Sequence, residues 1–175
     1  DRALVVFAAE TGLRTNEWTA TERRDVDWRN PAVAVVRRFS RGRPTPYPKT
    51  ARRRVPLTPR AVEALQAIPP RLESVLLFPS PRGEHLDLDN WSMRVWRPAL
   101  DAAGVDRRGS YQLRHTFATE ALAAGVSIFE LSRLMGASVK TIERHYAAFA
   151  RDSEGHLREL LSARSAIFEP SADER

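Results

Sequence analysis

Four short stretches carry side chains able to do chemistry on an anion. "ETGLRTNEW" holds Arg14, "PYPKTARRR" holds Lys49, "YQLRHTFAT" holds Tyr111, Arg114 and His115, and "LMGASVKTIERHYAAFAR" places Tyr146 among basic neighbours. A guanidinium presents a planar fork of donors that suits phosphate oxygens, and an ammonium can give a proton to a leaving oxygen. A phenol can donate a hydrogen bond and, once deprotonated, attack an electrophile. Taken singly, each residue has a plainer reading: an arginine near a helix end is usually on the surface, a tyrosine at helical spacing is usually core, and a basic loop is usually solvated.

The elements that must position these groups follow from the local pattern. The opening "DRALVVFAAETGLR" is apolar at helical spacing, and Gly12 with the break after Leu13 puts Arg14 at a helix junction. "TNEWTATERRD" reads as a second short helix with Thr15 as its N-cap, and Glu17, three residues after Arg14, shares its face and can hold its guanidinium. "DVDW", "AVAVVRRF" and "RRRVPLT" are β-rich runs separated by "RNP" and by "SRGRPTPYPKTA", which predicts a small antiparallel sheet with Lys49 on a basic loop. "TPRAVEALQAI" is a helix with Thr58 as cap and Pro59 at its first position. "DLDNWSMRVWRPALDAAGV" is a longer helix that Pro98 should end or bend. Ser110 then caps the helix carrying Arg114, with Gly125 behind it. Ser127 and Glu130 form a capping box before Gly136, and Ser138 caps the helix bearing Tyr146.

Composition bounds what such a chain can be. At 175 residues and 42% hydrophobic content it can bury a core, as one domain over residues 1–168 followed by a disordered tail at 169–175. Its apolar runs fall far short of the roughly 20 residues that span a bilayer. There is no cysteine, which excludes disulfides and thiolate zinc sites. The formal net charge of +6 favours a polyanion such as nucleic acid. Of 28 basic side chains only Lys49 and Lys140 are lysines, leaving 26 arginines, so the lysines are the more informative positions. Asp25 and Asp27 could mimic a metal pair on one strand face, but no third ligand follows at a suitable spacing.

In combination and order, Arg14 after "TGL", Lys49 in its strand-flanked loop, Arg114 inside "LRHTFAT", "LMG" and Tyr146 resemble the catalytic domain of the tyrosine recombinase or phage integrase family, from about Thr11 to Tyr146. The resemblance implies a mainly helical α+β domain with a small antiparallel sheet at one edge. It implies metal-independent cleavage and rejoining of double-stranded DNA through a 3′-phosphotyrosyl bond, with no cofactor and no metal. Arg14 and Arg114 would hold the phosphate, Lys49 would protonate the leaving 5′ oxygen, and Tyr146 would be the nucleophile. Forming phenolate near neutral pH costs roughly 4 kcal/mol, so the site must lower that cost or remove the proton during attack. A separate N-terminal DNA-clamping domain would lie outside this chain. The full-length protein would act as a homotetramer on DNA, bacterial or phage-encoded, cytoplasmic and nucleoid-associated, and the isolated domain as a monomer. The amphipathic segment from Asp152 to Phe168 would be exchanged between protomers or packed on its own domain.

Two positions depart from the family pattern. Tyr111 stands three residues before Arg114, where a histidine is usual, and a phenol can donate to a phosphate oxygen but is a poor base. Ala137 stands nine residues before Tyr146, where His or Trp is usual, and donates nothing. His115 and His145 are the neighbours able to compensate. By the resemblance His115 braces the fold, and His145 points a helical step away from Tyr146. The alternative is a DNA-binding or regulatory module that keeps the fold with impaired cleavage.

Overall fold

In the computed structural model, which describes residues 1–69, 71, 73–146 and 158, the opening run forms helix α1 (Arg2–Thr11), burying Leu4, Phe7 and Ala8 on one face. Gly12 ends it in the left-handed region at φ 59°, and a side chain there would collide with the Phe117 ring, so both backbone and space require glycine. Arg14, not Thr15, is the N-cap of α2 (Thr15–Trp18), with Glu17 accepting from the Arg14 backbone N–H at 2.9 Å. This helix is shorter than "TNEWTATERRD" suggests. The hydroxyls of Thr19 and Thr21 bond back to the carbonyls of Thr15 and Glu17, which closes the turn, and only a 3₁₀ turn (Arg23–Asp25) follows.

Five antiparallel strands come next: β1 (Val26–Asp27), β2 (Ala32–Val35), β3 (Arg37–Ser40), β4 (Arg43–Pro46) and β5 (Arg53–Pro56). They form a three-stranded sheet in the order β1-β2-β5 and a two-stranded arm of β3 and β4. Val33 pairs with Val55 and both are buried, which anchors the sheet, whereas the arm is polar. The expected basic loop is therefore partly strand. Its tip is only Arg41 and Gly42, both at positive φ, the two-residue turn that matches strand twist. Pro44, Pro46 and Pro48 offer no ladder donors; the Tyr47 N–H still reaches the Val36 carbonyl at 2.8 Å, and beyond it the chain makes a 3₁₀ turn at Lys49–Ala51 before β5.

Helix α3 (Pro59–Gln66) begins as the sequence reads, with the Thr58 hydroxyl accepting from Ala61 N–H at 3.2 Å. Pro98 does not break the next helix. α4 (Leu88–Trp91) passes through a π-helical turn (Ser92–Trp96) into α5 (Arg97–Ala102), and the wide turn holds Arg94, whose carbonyl would otherwise meet the proline ring. α6 (Gln112–Ala123) has Tyr111 at its N-cap and no side-chain cap; Ser110 contributes its carbonyl and not its hydroxyl. α7 (Ile128–Met135) carries the reciprocal Ser127/Glu130 bonds and ends at Gly136 with φ 61°. The Ser138 hydroxyl accepts from Thr141 N–H at 3.1 Å at the start of α8 (Val139–Tyr146).

The core is in two parts. Phe7, Trp18, Val33, Val55 and Trp91 belong to a cluster joining α1, the sheet and α3 to α5, while Leu122, Leu131, Met135, Ile142 and Tyr146 form a second among α6, α7 and α8. α1 lies against both α3 and α6 and so links them. The architecture is the expected mainly helical α+β domain with a small antiparallel sheet. The segment 152–168, apart from Arg158, and the tail 169–175 lie outside the described residues. Among the described residues no helix is long and apolar enough to cross a membrane.

Candidate active site

A helix leaves its last carbonyls without intrahelical donors and carries partial negative charge at that end. At the end of α7, three successive carbonyls each accept from a different arginine. Leu134 takes Arg53 Nε at 2.7 Å, Met135 takes Arg114 Nη2 at 3.0 Å, and Gly136 takes Arg14 Nη2 at 2.6 Å. Arg114 Nη1 also donates to the Gly12 carbonyl, at the C-terminal end of α1. Because consecutive Cα atoms are about 3.8 Å apart, Arg14 and Arg114 meet in one place and not on opposite faces. Burial, and then the charge of Arg14, lower the pKa of Arg114 from its usual value. Arg114 is only 3% exposed, while 32% of the Arg14 side chain faces solvent.

Glu17 is the anion inside this group. It is 1% exposed and accepts five hydrogen bonds: the backbone N–H and Nη1 of Arg14, both terminal nitrogens of Arg53, and the Tyr47 hydroxyl at 2.9 Å. Burial alone would raise its pKa, but the Arg53 bonds and charge, with those of Arg14, outweigh that and hold it at about 2. One carboxylate thus stands among Arg14, Arg53 and Arg114, leaving an excess of positive charge. The expectation that Glu17 holds Arg14 is met at 3.0 Å. Arg53 and Tyr47 were not anticipated. In a chain with 26 arginines Arg53 has no distinctive type, and the available signal was alternation along β5, which turns Arg53 and Val55 to the same side.

Tyr146 closes the second core cluster, 6% exposed, with its hydroxyl 2.6 Å from Nδ1 of His115. Burial raises its pKa above the usual 10, against the opposing charge of Arg114. His115 is lowered below its usual 6.5 by burial and by the charges of His145 and Arg114. α6 therefore connects the two groups of residues, with Arg114 directed to the carbonyls and His115 to the tyrosine. His115, expected to brace the fold, touches the tyrosine oxygen. Tyr111 is 46% exposed at the helix N-cap and packs edge-on to His115, ring centroids 5.3 Å apart; it does not share the buried direction of Arg114.

An open cleft of about 960 Å³ beside the arginines is walled by Arg14, Tyr47, Arg53, Arg133, Gly136 and Ala137. The neighbours of Lys49, Thr50 to Arg54, line this cleft, while Lys49 itself is exposed on its 3₁₀ turn and is not among the walls. An ammonium has no attraction toward a place already crowded with guanidinium groups until an anion arrives. Ala137 packs on the second cluster and offers no donor. A separate cavity of about 420 Å³ between α1 and α3 contains none of these residues. The acidic pair is used by arginines, Asp25 by Arg37 and Asp27 by Arg54, and among the described residues no cluster is disposed to hold a metal ion.

The phage integrase family model matches residues 1–152. Tyrosine recombinase XerD of Corynebacterium glutamicum is 31% identical over 156 residues, covering 87% of this chain and 49% of that protein. Tyrosine recombinase XerC of Pelobacter propionicus is 29% identical over 153 residues, covering 83% and 46%. The chain spans about half the length of the curated relatives it matches. Among solved structures, the Tn1549 transposon integrase in complex with circular intermediate DNA superposes with a TM-score of 0.69 over 92% of this chain and 58% of that one, at 18% identity. XerA recombinase superposes at 0.64 over 93% and 55%, at 24% identity.

Proposed function

Because the chain belongs to the phage integrase family, we propose that it is the catalytic part of a site-specific DNA recombinase that cuts and rejoins DNA through a phosphotyrosyl intermediate on Tyr146. The observation that carries this is the convergence of Arg14 and Arg114 on neighbouring carbonyls, with α6 joining them directly to the His115–Tyr146 pair. A guanidinium has five N–H donors. Arg14 and Arg114 each commit only part of theirs to the protein, so the rest can take the non-bridging oxygens of one phosphate as charge develops. Glu17 and Arg53 position Arg14. Tyr111, exposed beside His115, supplies the donor that a histidine would give. Lys49 swings from its turn to the bound phosphate and protonates the leaving 5′ oxygen.

Double-stranded DNA is the partner, and four full-length protomers assemble on two sites, in the cytoplasm with the nucleoid. The isolated domain is a monomer. The Tn1549 transposon integrase, solved in complex with circular intermediate DNA, supports DNA as the ligand of this fold.

The test is capture of covalent complexes. Full-length protein is incubated with fragmented DNA from its source, and protein-linked fragments are precipitated from detergent and sequenced. Wild type should enrich one site and Tyr146→Phe none, with binding to that site retained, and a chelator should change nothing. Arg14→Ala should lower adduct formation about 100-fold or more. If wild type binds the site without an adduct, the chain is a binding module with impaired cleavage, a reading that Ala137 favours because it gives the phosphate no donor.

A further inference from the structure

We propose that His115 is a catalytic residue, the base whose Nδ1 receives the proton of Tyr146 as its oxygen attacks phosphorus. This inference rests on the recombinase reading above. The attacking oxygen lies 2.6 Å from that nitrogen before any DNA is bound, within the range for direct proton transfer. Tyr111, a poor base, occupies the place where the resemblance leads one to expect a histidine. With its proton on Nε2, a neutral imidazole offers the Nδ1 lone pair to the phenol.

The ring is fixed for the purpose. It sits between Tyr111, edge-on at 5.3 Å, and Tyr146, with centroids 5.5 Å apart. The groups acting on it are Arg114 beside it on α6, Tyr111 at the helix start, and Tyr146 and His145 on α8. Burial first, and then the Arg114 guanidinium beside it, favour the neutral ring, the form a base requires. In cleavage the Tyr146 Oη–H bond breaks with the proton moving to His115 Nδ1, and an Oη–phosphorus bond forms. The phosphorus–O5′ bond breaks, and O5′ takes a proton from Lys49. Negative charge building on the phosphate offsets the repulsion between the new imidazolium and Arg114. Rejoining reverses each step, the imidazolium returning its proton to Oη as tyrosine leaves.

The experiment uses full-length protein and the site recovered by adduct capture, with a 5′-bridging phosphorothiolate at the cut position. Sulfur leaves without protonation, so Lys49→Ala should recover while any loss of the base remains. His115→Gln, which can accept the phenol hydrogen bond but not its proton, and His115→Ala should each cut about 100-fold more slowly, with unchanged DNA affinity certifying the fold. Added imidazole should restore the alanine variant in part. Wild-type rate should fall as pH drops through a pKa below 6.5, and this limb should vanish in the variants. A glutamine variant with wild-type rate and pH profile would mean that His115 only positions the ring, and a wild type without the acid limb would equally overturn the assignment. A wild type that makes no adduct instead defeats the recombinase reading, so the two failures are distinct.

Discussion

A carboxylate removed from water persists only where other donors replace the water, and Glu17 has five such bonds. Its pKa of about 2 against 4.5 for a free glutamate means that acid protonates the unfolded chain first. The stability it supplies is therefore complete above about pH 4.5 and is lost as pH falls toward 2. The amount is about 3 kcal/mol. Denaturant titrations at pH 7, 4.5 and 2.5 should show stability dropping across the last interval, with a flatter profile in Glu17→Gln. Arg53→Ala leaves the buried carboxylate short of two cationic hydrogen bonds and the Leu134 carbonyl without a donor. It should cost roughly 3 kcal/mol and, by loosening Arg14, slow cleavage as well. A variant that loses stability but cuts at the wild-type rate would separate Arg53 from the site.

At the scale of elements, the join between α7 and α8 determines where the guanidinium groups sit. Gly136 has φ 61°, and a Cβ there would stand 2.9 Å from Arg53 Nη1. Gly136→Ala should therefore cost about 1–2 kcal/mol in backbone strain and displace Arg53, lowering both Tm and cleavage. Ser127→Ala removes a helix cap worth about 1 kcal/mol at the opposite end of α7 from the arginine-bound carbonyls; it should lower Tm by a few degrees and leave cleavage per folded molecule unchanged. Thermal melts paired with single-turnover rates separate the two. Several such features were legible in the sequence because they are local, although the caps read at Thr15 and Ser110 fall instead at Arg14 and Tyr111. The glycine stops, the Ser127/Glu130 box and the Thr58 cap all stand as read. What depended on non-local pairing was not legible. The arm of β3 and β4 forms despite its prolines, Pro98 is absorbed by the wide turn before it, and Lys49 stays outside the cleft because that place is already cationic. The fold brings together Arg14, Glu17, Arg114, His115 and Tyr146, which type and order single out, with Arg53 and Tyr47, which they do not, since their partner Glu17 lies 36 and 30 residues away in sequence.

For the molecule as a whole, the proposed function together with the net charge of +6 and the open arginine cleft predicts DNA binding that depends on salt. The logarithm of the binding constant should fall linearly with that of salt concentration, with a slope of about −0.9 per phosphate neutralised. Arg133→Ala on the cleft wall should reduce that slope by about one while sparing the chemistry. A slope that does not change would place the DNA on another face. The two core clusters are held together across the site by Arg53 and Arg14 meeting the carbonyls of residues 134 and 136 and by Arg114 reaching that of Gly12, while Arg114 also meets the carbonyl of residue 135. Those acceptors belong to the main chain. No exchange of side chain can delete them, so random mutation can alter the identity of Leu134 or Met135, within the limits of packing, without erasing the contacts. Sequence drift should accordingly be permissive for apolar residues at 134 and 135, strict for glycine at 136, and strictest for the three arginines. A saturation library selected for recombination would therefore record the site mainly at positions distant in sequence from the acceptors themselves.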